Sequence, residues 1–460
     1  MSALRSHLRN IYLRFPPTWR VGRRYRNIRS FYDSAQWWSR EKIEAWQLAK
    51  IREVVTRAFL DVPGYQQLYR EAGVVPADIR TFSDFRSLPF TTKALLRDNL
   101  RDFTSRSIPK SRLLYSTTGG STGIPFGFYI LRENPRIEEG FMHSAWSQTG
   151  WKISDLGVVL RGGFKGPSSR LFDLSKHSRY ALSVYHLSSA TYPEYRQFVL
   201  KHHPSFLHAY PSSAADLAAL VIENDDIGQI AFETIFVGSE HLYDWQKQLI
   251  KRAFPNAHLM HWYGHSECAI FAPWCEASER FHVCPFYGHC EVLGLDDKEV
   301  GAGVVGELVG SSFWMQATPF IRYRTLDYAR KGVDGCKGCG RRFQMLDSVE
   351  GRLREMVVSS GGRKIAMASI NMHDTTFDEV AQFRFVQDQQ GIIELLILPK
   401  ALYNDSSMEK IHRSIMEKLG EDFILRIRKV ERIERLGSGK HSFLDQHLEI
   451  DRYDRLEEQL

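Results

Sequence analysis

The stretch that most restricts how this chain can fold is Tyr115-Ser-Thr-Thr-Gly-Gly-Ser-Thr-Gly-Ile-Pro125. Leu113 and Leu114 lead into it, and the apolar run Phe126-Gly-Phe-Tyr-Ile-Leu131 leaves it. Apolar runs on both sides of a turn-rich segment predict a hairpin that holds a loop at its tip. Gly119, Gly120 and Gly123 remove side-chain bulk, so backbone N–H groups can close on an anion; Thr118, Ser121 and Thr122 add hydroxyl donors. No Gly-Lys-Ser/Thr closes the segment, which excludes a Walker loop. Two readings stay open on this stretch alone: a phosphate cradle, and a plain Ser/Gly surface loop.

A chain of 460 residues exceeds one ordinary core, so two or three domains are expected. Helical periodicity runs from Ser34 to about Tyr69 through Ile43, Trp46, Ile51, Val54, Val55 and Ala58, with a break at Pro63–Gly64. A second helix should start after Thr91 or Thr92, and a third at Asn134 as N-cap with Pro135 in the first helical position. Gly157–Leu160 and Thr234–Val237 read as buried strands between helical segments. That alternation predicts an α/β architecture.

The net charge of +7 is uneven: residues 1–30 hold eight arginines and no acid, leaving the remainder close to neutral. The basic balance therefore belongs to an N-terminal arm (1–33) and gives no reason to expect nucleic acid as a partner. Leu4, Leu8, Ile11, Tyr12 and Phe15 alternate with arginines at near-helical spacing. Such a segment either touches an anionic membrane surface weakly or packs on its own domain with its arginines reaching water. Pro16–Pro17 cut it short, which favours packing. No stretch reaches the roughly eighteen apolar residues of a spanning helix, and no apolar core follows the basic start. Cytoplasmic location is the expectation, and with it free or metal-bound thiols for the six cysteines.

Further along, Phe236-Val-Gly-Ser-Glu240 closes a strand, and Ala257–Glu267 reads as a strand whose tip, Tyr263-Gly-His-Ser-Glu267, carries chemistry. Tyr263 offers a flat face to a base and Glu267 offers oxygens to a cation. Pro319–Asp327 ends in a carboxylate able to accept both hydroxyls of a ribose. Read singly, each is equally a turn, a helix cap or an ion-pair partner. Glu350-Gly-Arg-Leu-Arg-Glu355 and Leu436-Gly-Ser-Gly-Lys440 add a cation each beside glycines.

Taken in order, these segments resemble the motifs of adenylate-forming enzymes. Thr118–Pro125 is similar to the family's T-S-G-[ST]-T-G-x-P loop, with Gly119 for Ser and Ile124 where many members carry Lys. Tyr263, Gly264, His265, Ser266 and Glu267 resemble Y-G-x-[ST]-E; Gly238, Ser239 and Glu240 resemble G-x-E; Tyr323–Asp327 resembles Y-R-T-G-D with Leu326 for Gly. Val62–Tyr69, Leu88–Lys93, Gln382–Gln387 and Gly439–His441 carry a closer similarity to the phenylacetate–CoA ligase-like branch and its CapK-type capsule-biosynthesis proteins.

The resemblance implies a large adenylation domain (34–350) with mixed sheets and helices and a small mobile α+β domain (351–460). It implies that ATP is held by residues 118–123, 238–240, Tyr263–Ser266 and, through its ribose, Asp327. It assigns Mg²⁺ to Glu267, a phosphate-side role to Arg352 and the adenylation lysine to Lys440, and it puts Ala209–Ser212 along the acyl pocket. The reaction implied is activation of a small carboxylic acid, aromatic in some relatives, followed by transfer to coenzyme A or, as the alternative, to a sugar or carrier. A scaffold that binds nucleotide without ligating is the reading from another class.

Gly335-Cys-Lys-Gly-Cys-Gly340 is a C-x-x-C knuckle that needs two more donors to close a tetrahedral zinc. Cys275 and His282 resemble the Cys/His stretch of zinc-containing members of the branch, so Cys275, His282, Cys336 and Cys339 are the expected ligands. On residue type alone, Cys268, Cys284, Cys290 and His289 compete with them.

Overall fold

The structure, a computed structural model, describes residues 20–117, 126–161, 171–175, 179–352, 356–370, 375–377, 379–434 and 442–448. The chain divides into two compact units. The first is Met1–Asp155, Lys176–Ser178 and Met260–Val349; the second is Leu156–Ser175, Arg179–Leu259 and Glu350–Leu460.

The first unit begins with helices α1 (Gly22–Ala35), α2 (Arg40–Asp61), α3 (Pro63–Glu71), α4 (Phe82–Arg86) and α5 (Lys93–Asp98). Helix α1 buries Tyr25, Ile28, Tyr32 and Ala35, and Tyr25 hydrogen-bonds His143. The described part of the basic segment is thus a packed helix on which Arg23, Arg24 and Arg26 are exposed, while Arg20 before it is buried. Residues 1–19, and the membrane-surface reading made for them, lie outside the described residues. The long helical run resolves into two helices: Ser39 caps α2 by accepting from Lys42 N, and Pro63 starts α3 instead of ending a helix. Proline suits that position because its missing N–H falls where a helix has no acceptor for one. Thr92 caps α5, as its position predicts.

Strands β1 (Leu113–Thr117) and β2 (Gly127–Leu131) form the expected antiparallel hairpin. Its loop end is anchored: Phe126 and Phe128 are fully buried, and Phe128 meets the ring of Phe320 edge-on at 5.1 Å. The Tyr115 ring lies across Gly127, where a Cβ would sit 1.7 Å from the tyrosine oxygen. Glycine is required there by space. The loop itself, 118–125, is outside the described residues. Helix α6 (Asn134–Trp146) follows. Its N-cap is Glu133, one residue before the expected Asn134. The Asn134 amide is engaged otherwise: it accepts from Leu131 N, three residues back, and donates to Trp314 O, tying the hairpin to a distant loop.

The second unit opens with β3 (Gly157–Arg161), β4 (Leu171–Ser175), β5 (Arg179–Ser183), α7 (Tyr192–His202), β6 (Phe206–Ala209), α8 (Pro211–Glu223), β7 (Thr234–Gly238) and α9 (Asp244–Ala253). The strand order β7-β6-β3-β5-β4 is parallel except for β4. Strand β7 is buried along its whole length, as parallel strands covered on both faces must be.

Next come β8 (His258–Gly264), β9 (Phe271–Cys275), β10 (Ser278–Val283), β11 (Gly288–Leu293), β12 (Val305–Ser312), β13 (Tyr323–Lys331) and β14 (Gln344–Arg352). In the first unit these run in the order β11-β12-β13-β14-β10-β9-β8. A buried ion pair fixes the start of β13. Arg322, with 3% of its surface exposed, donates from Nε and Nη2 to Glu291 at 3.1 and 3.0 Å and lies over the Phe90 ring at 4.0 Å. Burial raises the Glu291 carboxyl above its usual range, and the guanidinium opposes this. Arg322→Met should therefore cost about 3–5 kcal/mol, because Glu291 stays buried without its cation. The check is thermal unfolding of Arg322→Met beside Arg322→Met/Glu291→Gln, which should recover part of the loss.

The chain ends in β15 (Met356–Val358), β16 (Lys364–Ala366), β17 (Val380–Gln389), β18 (Ile392–Pro399), α10 (Asp405–Leu419), β19 (Ile424–Lys429) and β20 (Leu444–Gln446). The sheet β19-β18-β17-β20 buries Ile393, Leu395 and Ile397 against Ile411, Ile415 and Leu419 of α10, and Tyr243 joins the same core. Asn404 caps α10 from both Ser406 N and Ser407 N. The fold is α/β with mixed sheets, and its C-terminal part is α+β.

Candidate active site

In the first unit, the tip of β8 meets β13. Tyr263 donates its hydroxyl to Asp327 Oδ2 at 2.7 Å, and Tyr323 donates to Glu267 Oε1 at 2.9 Å. The His265 Nδ1 lies 3.1 Å from Glu267 Oε2, and its ring stacks on Tyr323 at 6.4 Å between centroids. The residues assigned to adenine, ribose and metal thus form one polar cluster. Asp327 and Glu267 are both buried among the strands, while Gly264 and Ser266 face outward.

Burial by itself would raise the Glu267 carboxyl, but the hydrogen bond and charge of His265, helped by Tyr323, hold it at about 2. Glu267 is therefore an ionised hard-oxygen donor, the type that suits Mg²⁺. The backbone before Asp327 is left-handed: Leu326 has φ 59, so its place in the motif is one where glycine sits without strain. The Glu307 carboxylate supports the turn, accepting from Arg324 Nη1 at 2.8 Å and from Leu326 N at 3.4 Å.

Gly238, Ser239 and Glu240 lie in the second unit, at and past the end of β7. Ser239 is left-handed (φ 70) and receives a hydrogen bond of 2.6 Å from Arg161 Nη2. Glu240 Oε2 accepts from Ser212 N at 3.1 Å, in the first turn of α8. Arg161, His208 and Tyr323 have no role that the sequence alone assigns. The one signal for Arg161 is a cation at the end of the apolar strand Gly157–Leu160. Thr118–Gly123 and Lys440 lie outside the described residues. Arg352 ends β14, and its side chain is not among those described.

The cysteine cluster is assembled from three segments of the first unit. Cys275 ends β9, His282 sits on the antiparallel neighbour β10, and Cys336 and Cys339 come from the turn before β14. Their ligand atoms all lie within 4.8 Å of one another, with Cys275 Sγ 3.7 Å from Cys336 Sγ and Cys339 Sγ 3.8 Å from His282 Nε2. A tetrahedron with metal–sulfur bonds of about 2.3 Å has edges of roughly 3.8 Å, so the spacing fits zinc. Gly335 and Gly340 flank the knuckle with φ +82 and +86, the left-handed turns that let both thiols face inward. Burial pushes His282 down to about 4, which leaves the neutral imidazole a metal needs. Burial also raises Cys275 to about 12; Cys336 is pulled the other way, despite burial, by the N–H groups of Cys339 and Gly338. Among the competitors, His289 instead stacks on Phe82 at 5.2 Å, and Cys284 and Cys290 are buried free thiols outside the cluster.

Residues 357–446 match the family described as the CapK C-terminal domain. A phenylacetate-coenzyme A ligase of Escherichia coli is 24% identical over 332 residues, 70% of this chain and 74% of the relative. Protein CapK of Staphylococcus aureus is 22% identical over 79% of this chain and 80% of its own length. Among solved structures, 2-hydroxyisobutyryl-CoA ligase in the postadenylation state superposes with a TM-score of 0.73 at 18% identity, covering 91% of this chain and 92% of that one. The chain has the adenylate-forming ligase fold, resembles the phenylacetate–coenzyme A ligases over about 70% of its length, and carries a CapK C-terminal domain at residues 357–446.

Proposed function

We propose that this chain is an AMP-forming acid–thiol ligase: it activates a small carboxylic acid with ATP, releases pyrophosphate, and passes the acyl group to coenzyme A. The observation that carries the reading is the joined pair Tyr263–Asp327 beside the ionised Glu267. Asp327 accepts the ribose hydroxyls, and its bond to Tyr263 holds the phenol ring in one orientation for the base. Glu267 is the residue that would hold Mg²⁺, whose charge offsets that of the phosphates when bound. By resemblance, the loop 118–123 and Gly238–Glu240 are further nucleotide-binding segments, and Arg352 acts on the phosphate side. Cys275, His282, Cys336 and Cys339 would hold a structural zinc, with all four positions taken by protein and none left for chemistry. Residues 351–460 act as a small mobile domain in the cytoplasmic enzyme. The phenylacetate–coenzyme A ligases among the relatives support coenzyme A as acceptor. The second reading, transfer to a sugar or carrier, rests on the resemblance to CapK-type capsule-biosynthesis proteins, whose C-terminal domain residues 357–446 match.

The test is ATP–pyrophosphate exchange across a panel of small carboxylic acids, then thioester formation on adding coenzyme A. Exchange without thioester would select the second reading, and no exchange with any acid would leave only a nucleotide-binding scaffold. Asp327→Ala should weaken ATP binding about 10- to 100-fold, since it removes charge-assisted acceptors for both hydroxyls. Unchanged ATP affinity by calorimetry would remove Asp327 from the ribose site.

A further inference from the structure

The parallel strands of the second unit end in a polar row where an apolar acyl pocket would be lined by hydrocarbon. Strand β3 lies between β5 on one side and β6 on the other, and the chain passes from β3 to β5 before crossing to β6. The strand order reverses at β3, and in open parallel sheets ligands bind outside the carboxyl ends of the strands at such a point. The last residue of β3 is Arg161. In register beside it, Ser183 ends β5. His208 lies near the end of β6, and Ser239 follows the end of β7.

Arg161 is held in place on three sides. Its guanidinium lies 4.4 Å over the Tyr210 ring, Nη1 is 2.9 Å from His208 Nε2, and Nη2 donates to Ser239 Oγ at 2.6 Å. Tyr210 also hydrogen-bonds the guanidinium, and none of these three partners, His208, Ser239 and Tyr210, is a carboxylate. The Glu240 carboxylate acts on Arg161 through space but is committed to Ser212 N at the start of α8. Burial lowers the guanidinium's pKa, a sign that its charge is being held at a cost in solvation. A planar fork of five N–H donors, fixed by stacking and by those three side chains, keeps donors for a carboxylate.

We propose that Arg161 is a specificity-determining residue, and that the acid bound at the carboxyl ends of β3, β6 and β7 carries a second carboxylate besides the one activated. The substrate class is thus a short dicarboxylic acid. This rests on the ligase reading above, so the test separates the two. Binding is measured by calorimetry for glutarate against pentanoate and for phthalate against benzoate, with ATP–pyrophosphate exchange run on the same acids. The unaltered protein should bind the dicarboxylate of each pair about 10- to 100-fold more tightly, the discrimination expected of a charge-assisted hydrogen-bonded pair. In Arg161→Gln that ratio should fall towards one, and Arg161→Lys should recover part of it; circular dichroism checks that both fold. Equal binding within each pair by the unaltered protein would overturn the proposal. So would an equal loss for all four acids in Arg161→Gln, which marks a structural role or one towards phosphate. Discrimination in binding without exchange would retain this proposal and refute the ligase reading.

Discussion

Protein purified without added metal is expected to carry about one equivalent of zinc per chain. The four donors are already at tetrahedral spacing, and the imidazole is held neutral by burial. Three thiols and one imidazole favour Zn²⁺ over harder cations. Without metal, the turn 336–339 meets the β9–β10 pair through weak thiol contacts, Cys275 Sγ to Cys336 Sγ at 3.7 Å and Cys339 Sγ to His282 Nε2 at 3.8 Å. Binding free energy at such a site becomes folding free energy of the order of several kcal/mol. Strong chelation should lower the unfolding midpoint by roughly 2–4 °C for each of those kcal/mol. The nucleotide site should loosen in step without the all-or-none loss of a catalytic metal, because the cluster supplies no open coordination position. Elemental analysis decides: less than about a tenth of an equivalent, or undiminished zinc in Cys336→Ser/Cys339→Ser, would sink the site.

Lys440→Ala should lower adenylation by about 100- to 1,000-fold, the range for removing one donor aimed at charge that develops during reaction. The basis is its position in Leu436-Gly-Ser-Gly-Lys440, which matches the family's lysine loop and lies on the segment matching the CapK C-terminal domain. On the ligase reading proposed above, a lysine there would meet the carboxylate and the α-phosphate only while the acyl phosphate bond forms. Thioester formation from supplied acyl adenylate should therefore be nearly intact, provided residues 351–460 move between the steps. The two half-reactions are measured separately, exchange for the first and single-turnover transfer for the second. Equal loss in both would argue for a folding defect and against alternating use of the lysine.

Local rules that need only neighbours in sequence suffice for many of the elements. The hairpin around 118–125, the cap at Thr92, the strands at Gly157 and Thr234 and the alternation that makes the fold α/β follow from periodicity and turn chemistry. The motif residues Tyr263, Glu267 and Asp327 are legible as types, because a flat ring and two carboxylates suit a nucleotide; that Asp327 sits in the middle of β13 and not at its end is a feature of the tertiary structure. Their partnership is not legible. Tyr263 and Asp327 are 64 positions apart, and only the meeting of β8 and β13 makes their hydrogen bond. The same holds for the knuckle. The sequence determines Cys336 and Cys339 as a pair, but the choice of Cys275 and His282 over four competitors depends on β9 and β10 lying side by side. Asn134 shows the converse: a good capping residue is engaged by one local bond from Leu131 N and one tertiary bond to Trp314 O. Arg161 has no legible role at the end of an apolar run, since a cation there means little until β6 and β7 bring His208 and Ser239 to it. Sequence determined which segments form and what chemistry each carries. Tertiary structure decided which of those chemistries share a site, because hydrogen bonds and metal ligation depend on distances that only long-range strand pairing sets.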